Sequence, residues 1–307
     1  MNILNLLVKS YSKLHNYPGI PYWLLTPTRK LVRYIADRIL PGYLIKQPNE
    51  QVARNSGVIV SFTSFPARIN NVWQVVECMK RQTYKPFKII LWLSKEQFPT
   101  YDSIPDSLKC REDSVFEIRM VDGDIRSHKK YYYVLNCFPD SLVFLIDDDL
   151  YYPTDLIEKS LVEYNNHPDH IICNYGFHIR YDDEGSILPY KEWKRSYKHS
   201  DESDLYFGSG GGTLIKSGLL YSDVTNLALA LDMTPIADDI WLNAMTRLAK
   251  SPIIILDNGH LLPIRIDKNI KLASENVYQS KNDEQLNRII TYYRTKMGVD
   301  PFCRLIK

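Results

Sequence analysis

Leu142-Val143-Phe144-Leu145-Ile146-Asp147-Asp148-Asp149-Leu150-Tyr151-Tyr152-Pro153 is the stretch on which the reading of this chain turns. Five apolar residues run into three carboxylates, and a proline follows three residues later. The apolar run has the length and character of a buried strand. A sheet interior does not tolerate three adjacent unpaired carboxylates, so the strand ends where they begin. On an open α/β sheet, such strand ends are where ligands bind. Clustered carboxylates there suit a hard divalent cation, Mn²⁺ or Mg²⁺, which prefers oxygen ligands. The plainer alternative is a solvated acidic turn, and the apolar strand in front of the triplet weighs against it.

Upstream, the chain alternates in type. Residues 57–64 read as a first strand, with Pro66 and Arg68 in the following turn. Val72, Val75, Val76 and Met79 then recur at helical spacing. Phe87 to Ser94 and Val115 to Val121 read as the second and third strands, the latter closed by Asp122-Gly123-Asp124. Ser127 to Cys137 reads as a helix rich in Lys and Tyr. After the acidic triplet, Pro153 opens a helix with Leu156, Ile157, Ser160, Leu161 and Tyr164 on one face. Strand and helix alternating through short links predict an α/β fold, with a mostly parallel central sheet flanked by helices.

Downstream, the pattern is less regular. Residues 176–205 are polar and aromatic, as suits a long loop or hairpin, and Phe207 to Thr213 is dense in glycine. Gly208, Gly210, Gly211 and Gly212 allow close approach of the backbone to a ligand. The spacing is that of neither a P-loop nor a dinucleotide fingerprint. Ala237, Ile240, Trp241, Ala244, Met245 and Leu248 form a helical face, with Asp238 and Asp239 in its first turn. Ile253 to Leu256 reads as another strand, followed by Asp257-Asn258-Gly259-His260, and residues 283–297 as a last helix.

Composition sets the outer bounds. The 307 residues are 45% hydrophobic and 24% charged, an ordinary globular balance with ample length for a large core. A net charge of +2 makes no case for nucleic acid. Five scattered cysteines without a CxxC pair fit reduced, mostly core thiols and a cytoplasmic setting. Neither a secretory signal nor a spanning helix is expected. Residues 1–56 form a separate, basic amphipathic extension: up to Glu50, seven Lys or Arg stand against two acids. Leu31, Tyr34, Ile35 and Arg38 lie there at helical spacing. Such a segment either lies on an anionic membrane or packs on the main domain. The division expected is therefore 1–56, a catalytic domain over 57–262, and a helical tail over 263–307.

These motifs together resemble the GT-A glycosyltransferases that use nucleotide sugars. The likeness covers roughly residues 57–262 and lies in element order and local motifs. Val60 to Arg68 looks like the first strand and turn, which in that family holds nucleobase and ribose. Asp147-Asp148-Asp149 before Tyr-Tyr-Pro looks like the DxD motif in a triple-Asp form. Gly208 to Thr213 resembles the glycine-rich loop near the acceptor. Ala237-Asp238-Asp239-Ile240-Trp241 is similar to the late acidic motif. A triple Asp alone is weak; followed by Tyr-Pro, and about 90 residues before Asp-Asp-Ile-Trp, it is more specific.

The resemblance implies a UDP-sugar donor and a divalent metal, Mn²⁺ or Mg²⁺, on Asp149, Asp147 and the late histidine His260. It implies donor binding by Ser61, Thr63, Arg68, Asp122, Lys130, Asp147 and Asp148. Gly210, Gly211, Gly212 and Trp241 would face the acceptor, and Trp193, Tyr206 and Phe207 are further candidates to stack on sugars. Asp239, supported by Asp238, would be the general base of an inverting transfer; in a retaining one Asp239 would instead orient the sugar. The product would be a hexoside (galactose or galactofuranose included) on a saccharide or lipid-linked saccharide. Such an enzyme would serve surface polysaccharides such as capsule or O-antigen from the inner face of the membrane. A metal-dependent phosphotransferase or nucleotidyltransferase, and a non-catalytic glycan-binding protein, are the rival classes. The first would use a nucleoside triphosphate, and the second predicts broken acidic motifs, whereas both are intact.

Overall fold

The apolar strand ends at the residue expected. In the computed structural model, which describes residues 2–15, 17, 19–46, 54–196, 199–256, 259–265 and 281–304, it spans Val143–Ile146 and stops before Asp147. It belongs to a seven-stranded sheet whose strands we number in chain order: β1 Ile59–Thr63, β2 Lys88–Ser94, β3 Phe116–Val121, β4 Val143–Ile146, β5 Ile171–Cys173, β6 Gly211–Ile215 and β7 Ile253–Ile255. Across the sheet the order is β7-β5-β6-β4-β1-β2-β3. All pairs are parallel except those of β6, which runs antiparallel to β4 and β5. This is the mixed α/β, mostly parallel architecture the alternation predicts.

Strand alternation sorts the sheet's side chains onto two faces. Val60, Phe62, Ile89, Leu91, Phe144 and Ile146 enter one core; Ile59, Ile90, Trp92, Val143 and Leu145 enter the other. The principal helices are α1 Ile3–His15, α2 Thr26–Ile45, α3 Val72–Lys80, α4 Lys129–Cys137, α5 Leu156–Asn166, α6 Asp238–Leu248 and α7 Lys281–Met297. The first core takes α1, α2, α3 and α5, and the second takes α4, α6 and α7. The basic extension thus shares a core with the sheet through Leu4, Leu7, Val8, Ala36, Leu40 and Leu44. Asn5 and Thr154 exchange hydrogen bonds of 2.8 Å, and Arg81 donates to the Leu44 carbonyl at 2.9 Å, fixing both extension helices. Leu286, Ile289, Ile290 and Tyr293 seat α7 as their spacing predicts. The rest of the expected tail, at 266–280 and 305–307, lies outside the described residues.

Of the loop or hairpin expected over residues 176–205, the hairpin forms: Gly176–His178 is the central strand of a three-stranded antiparallel sheet, between Lys194–Ser196 and Leu205–Phe207. The glycine-dense stretch is divided: Gly208 to Gly210 make a turn, whereas Gly211–Ile215 is a fully buried sheet strand. Its register shifts between Gly211 and Thr213, and Gly212 sits there at φ +97°. A β-bulge needing a left-handed backbone explains that glycine without invoking a ligand. Of the cysteines, all free, Cys78 and Cys173 are buried, but Cys110, Cys137 and Cys303 are exposed.

The strand order places a crevice. From β1 the chain steps outward through β2 and β3, then returns to β4 on the other side of β1. Where the order reverses, the carboxyl ends of the two strands splay apart, and an open α/β sheet binds its ligands there. Ser64 and Arg68 follow β1, and Asp147 to Asp149 follow β4. Both motifs therefore meet at this switch point.

Candidate functional site

The turn after β4 is pinned from several sides. The Asp147 amide donates to the Gly210 carbonyl at 3.1 Å and to the Tyr152 hydroxyl at 2.8 Å, and that hydroxyl donates to Gly210 O at 2.5 Å. A Cβ on Gly210 would collide with the Asp147 carboxylate. The Ile264 amide donates to Asp149 O at 2.7 Å, and Leu262–Pro263 pairs antiparallel with Leu150–Tyr151. The three carboxylates then diverge. Asp148 is buried, accepting from Ser64 Oγ at 2.6 Å and from Arg68 at 2.8 Å. Arg68 also pairs with Asp149 at 2.9 Å. Asp147 accepts from Lys130 Nζ at 2.8 Å.

Lys130 joins the two acidic motifs. It comes from the first turn of α4, is buried, and its ammonium reaches Asp147 Oδ1 at 2.8 Å, Ser209 Oγ at 2.9 Å and Asp238 Oδ2 at 3.1 Å. An ammonium has three N–H donors, so its capacity is filled. Ser209 completes the link: its amide donates to Asp239 Oδ1 at 2.8 Å, and its hydroxyl lies 2.5 Å from Asp239 Oδ1 and 2.8 Å from Asp238 Oδ2. Asn243, one turn along α6, donates to the Asp239 and Phe207 carbonyls at 2.8 Å each. The glycine-rich segment and α6 are thereby locked together.

Charge is out of balance here. Among the described residues, five carboxylates (Asp147, Asp148, Asp149, Asp238, Asp239) face two cations, Arg68 and Lys130. Burial and the neighbouring Asp238 charge push Asp239 up to about 7, against the pull of Lys130 and Ser209. Burial, Asp147 and Asp148 push Asp149 up to about 7. Burial also raises Asp148, against Arg68 and Ser64. Burial alone would raise Asp238 too, but the Lys130 charge and the Ser209 hydroxyl hold it below the usual carboxylate range. Burial works against the Lys130 charge, yet Asp147, Asp238 and Asp239 raise it above an ordinary lysine. Burial lowers His128. Its Nε2 meets the Thr234 carbonyl at 2.6 Å, a pure acceptor, so Nε2 carries the proton of a neutral ring. Asp239 and Asp238 thus lie in one network and are held apart in acidity, which is how acid–base pairs are set up.

The structure gathers Asp147, Asp148, Asp149, Arg68, Lys130, Asp238 and Asp239 from the expected set. Others it leaves apart. Ser61 is buried, donating to the Lys130 carbonyl at 2.5 Å and accepting from the Trp92 indole at 2.9 Å, and Thr63 donates to Trp92 O at 2.8 Å. The Ser61 hydroxyl ties the sheet to α4, and the Thr63 hydroxyl ties β1 to β2. Asp122 is 88% exposed and pairs with Lys95. Trp241 is fully buried, its indole donating to Val224 O at 3.1 Å, so no ring face is left for a sugar. Trp193, Tyr206 and Phe207 are likewise in the core. Gly208 and Gly211 accommodate the Tyr175 side chain, and Gly210 accommodates Asp147, so these glycines serve internal contacts.

His260 stacks on His15 with ring centroids 3.7 Å apart and contacts Arg195. Burial and Arg195 press it down to about 2. It forms no close group with Asp147 and Asp149: among the described residues, His178, Glu202 and Asp204 are the one His/Cys/Asp/Glu trio whose ligand atoms all lie within 4.8 Å of one another. Sequence reasoning missed Ser64, Ser209, Tyr152 and His128. Ser209 carried one signal, its place inside the glycine-dense segment.

No protein-family model matches this sequence, and none of the curated proteins does. Among solved structures, the chain is similar to HddC from Yersinia pseudotuberculosis at 13% identity and a TM-score of 0.35, over 55% of this chain and 78% of that one. So slight an overlap carries no weight for the site.

Proposed function

We propose that this chain is a metal-dependent glycosyltransferase of the GT-A kind, transferring a hexose from a UDP-sugar to a saccharide or lipid-linked saccharide. One observation carries the reading. Lys130 and Ser209 bind the acidic end of β4 to the acidic start of α6, uniting two motifs about 90 residues apart beside the switch point. A structural salt-bridge cluster would balance its charges; among the described residues this one keeps three carboxylates in excess.

The donor set fits a hard divalent cation. Asp147 Oδ2 and Asp149 Oδ1 accept no hydrogen bond among the described residues, while their partner oxygens are held by Lys130 and Arg68. Asp147 and Asp149 would hold Mn²⁺ or Mg²⁺. Bound there, the ion would supply positive charge to a departing diphosphate. Arg68 has a buried Nε without a partner among the described residues, a donor left for a phosphate oxygen.

Asp239 is the base in this reading. Its Oδ1 is held by the Ser209 amide and hydroxyl, which leaves Oδ2 to take the proton of an acceptor hydroxyl. Standing at about 7, it is both ionised and basic near neutrality. Asp238 stays ionised and keeps Lys130 in place.

The test is UDP release from a panel of UDP-sugars with Mn²⁺, using wild type, Asp149→Ala and Asp239→Ala, with and without saccharide acceptors. Metal-dependent turnover of one donor, lost in both variants, is expected. Failure of every UDP-sugar to bind or turn over, with metal binding unaltered in Asp149→Ala, overturns the reading.

A further inference from the structure

We infer that the outer face of the two N-terminal helices docks on an anionic phospholipid surface. Among the described residues, nine of the fourteen exposed large hydrophobic side chains lie before residue 46. They are not the stripe that folds the segment. On α2 the buried side is Ala36, Leu40 and Leu44. Leu31, Tyr34 and Ile45 recur at helical steps on the opposite side and are more than half exposed. Trp23, at 68% exposure, and Leu24 extend the patch at the amino-terminal end of the helix.

Exposure of this kind is costly for a free surface, and contiguous apolar patches mark contact sites. The extension is not a loosely attached arm that has lost its packing. Asn5 with Thr154, Lys9 with Asp155 at 3.1 Å, and Arg81 with the α2 carbonyls fix its inner face to the domain. The outer face is therefore held in place, and the described residues leave it uncovered.

Charge selects the occupant. Up to Glu50 the chain carries +5, whereas residues 51–307 sum to −3. Lys13, Lys30, Arg38 and Lys46 are exposed around the apolar stripe. The single acid of α2, Asp37, lines a groove at the edge of this face with Tyr34, Arg38, Gln74, Tyr151 and Arg265. Cations flanking a stripe of Leu, Ile, Trp and Tyr match a bilayer interface, where headgroups are anionic and aromatic rings settle at the boundary. No described helix is long and apolar enough to cross a membrane, so the segment lies along the surface.

The experiment is co-sedimentation of the full chain with vesicles of phosphatidylcholine alone or of equal parts phosphatidylcholine and phosphatidylglycerol. Wild type should bind the anionic vesicles and lose binding in high salt. Lys30→Gln with Arg38→Gln should weaken partition about 25-fold, about fivefold per cation. Trp23→Ser with Leu31→Ser should weaken it at least about tenfold. All four sites are exposed, so unchanged melting temperatures should show that the variants fold. Absence of wild-type binding to anionic vesicles overturns the inference. So does binding unaffected by both variants. Concentration-dependent dimerisation in sedimentation velocity, abolished by the apolar variant without vesicle binding, overturns it in favour of a second copy of the chain.

Discussion

Replacing Lys130 by methionine tests the electrostatic account of the site most directly. The thioether fills much of the lysine's volume, so the change is chiefly one of charge. Three acceptors lose their donor at once: Asp147 Oδ1, Ser209 Oγ and Asp238 Oδ2. Among the described residues the five carboxylates are then left with Arg68 alone, and Arg68 is committed to Asp148 and Asp149. Removing one partner of a buried ion pair costs about 3–5 kcal/mol. Unfolding entropy is about 2.1 cal/mol/K per residue. Over 307 residues the loss becomes a fall of about 5–8 °C in melting temperature at neutral pH.

The pH dependence separates this cause from a packing defect. Lys130 is held above an ordinary lysine, so its contribution is present at neutrality and lost only as pH rises past about 10. Asp238 is held below the usual range, so its contribution is present above about 4 and lost as pH falls through its lower folded value. The variant's deficit should therefore be full between about pH 5 and 10 and shrink below about 4. Thermal unfolding of both proteins from about pH 2 to 9 measures it. A deficit of about 1 °C or less at pH 8, or one that persists unchanged at about pH 2, refutes the account.

Four further outcomes are expected. The acceptor-dependent rate should rise with pH and level off above about 7 as Asp239 ionises; Asp239→Asn should lose about 10²–10⁴-fold and the acid limb with it. The same variant should gain stability at pH 8, on the order of 2 kcal/mol, because Asp239's raised value makes the folded state lose stability as pH rises from about 4 to 7; urea unfolding at both pH values checks it. UDP with Mn²⁺ at a hundred times its dissociation constant should add about 2.7 kcal/mol, or about 4 °C, absent in Asp149→Asn and not reproduced by ATP with Mg²⁺. Gly210→Ala, which drives a methyl into the Asp147 carboxylate, should abolish that stabilisation, whereas Trp241→Phe should lower the melting temperature and leave donor affinity intact.

Much of the sheet was legible because its strands are short apolar runs bounded by turn residues, and the helices keep period 3.6. The strand ending at Ile146 and the helix opening at Asp238 follow from that pattern and from the cost of burying adjacent carboxylates. What the pattern conceals is direction and depth. Gly211–Ile215 carries the composition of a flexible loop yet forms a central strand, since its glycines make room for Asp147, Tyr175 and a bulge. Lys129 and Lys130 have the look of a solvated helix face but are buried, because their carboxylate partners are distant in sequence or several residues upstream. Trp241 reads equally as a sugar platform or a core residue. Its place on the inward stripe of α6 decides for the core.

Ser209 shows why the late acidic pair is unlike a helix cap. Its hydroxyl has one hydrogen and lies within bonding distance of both Asp238 and Asp239. It can donate to only one of them. With both acids ionised, two carboxylate oxygens share that hydrogen, although the Ser209 amide also serves Asp239 Oδ1 and the Lys130 ammonium also serves Asp238 Oδ2. Burial and the Asp238 charge raise Asp239 to about 7, and the hydrogen bond from Ser209 opposes that rise. A cap would gain stability from both charges at the helix N-terminus. Here the second charge is opposed by its neighbour and by burial, and such an arrangement persists in a protein where function requires it. Ser209→Ala separates the two accounts. Under the cap account it changes little beyond one hydrogen bond. If burial and the Asp238 charge set Asp239, the acid limb of the pH–rate profile moves to higher pH, because the hydroxyl that opposes the rise is gone.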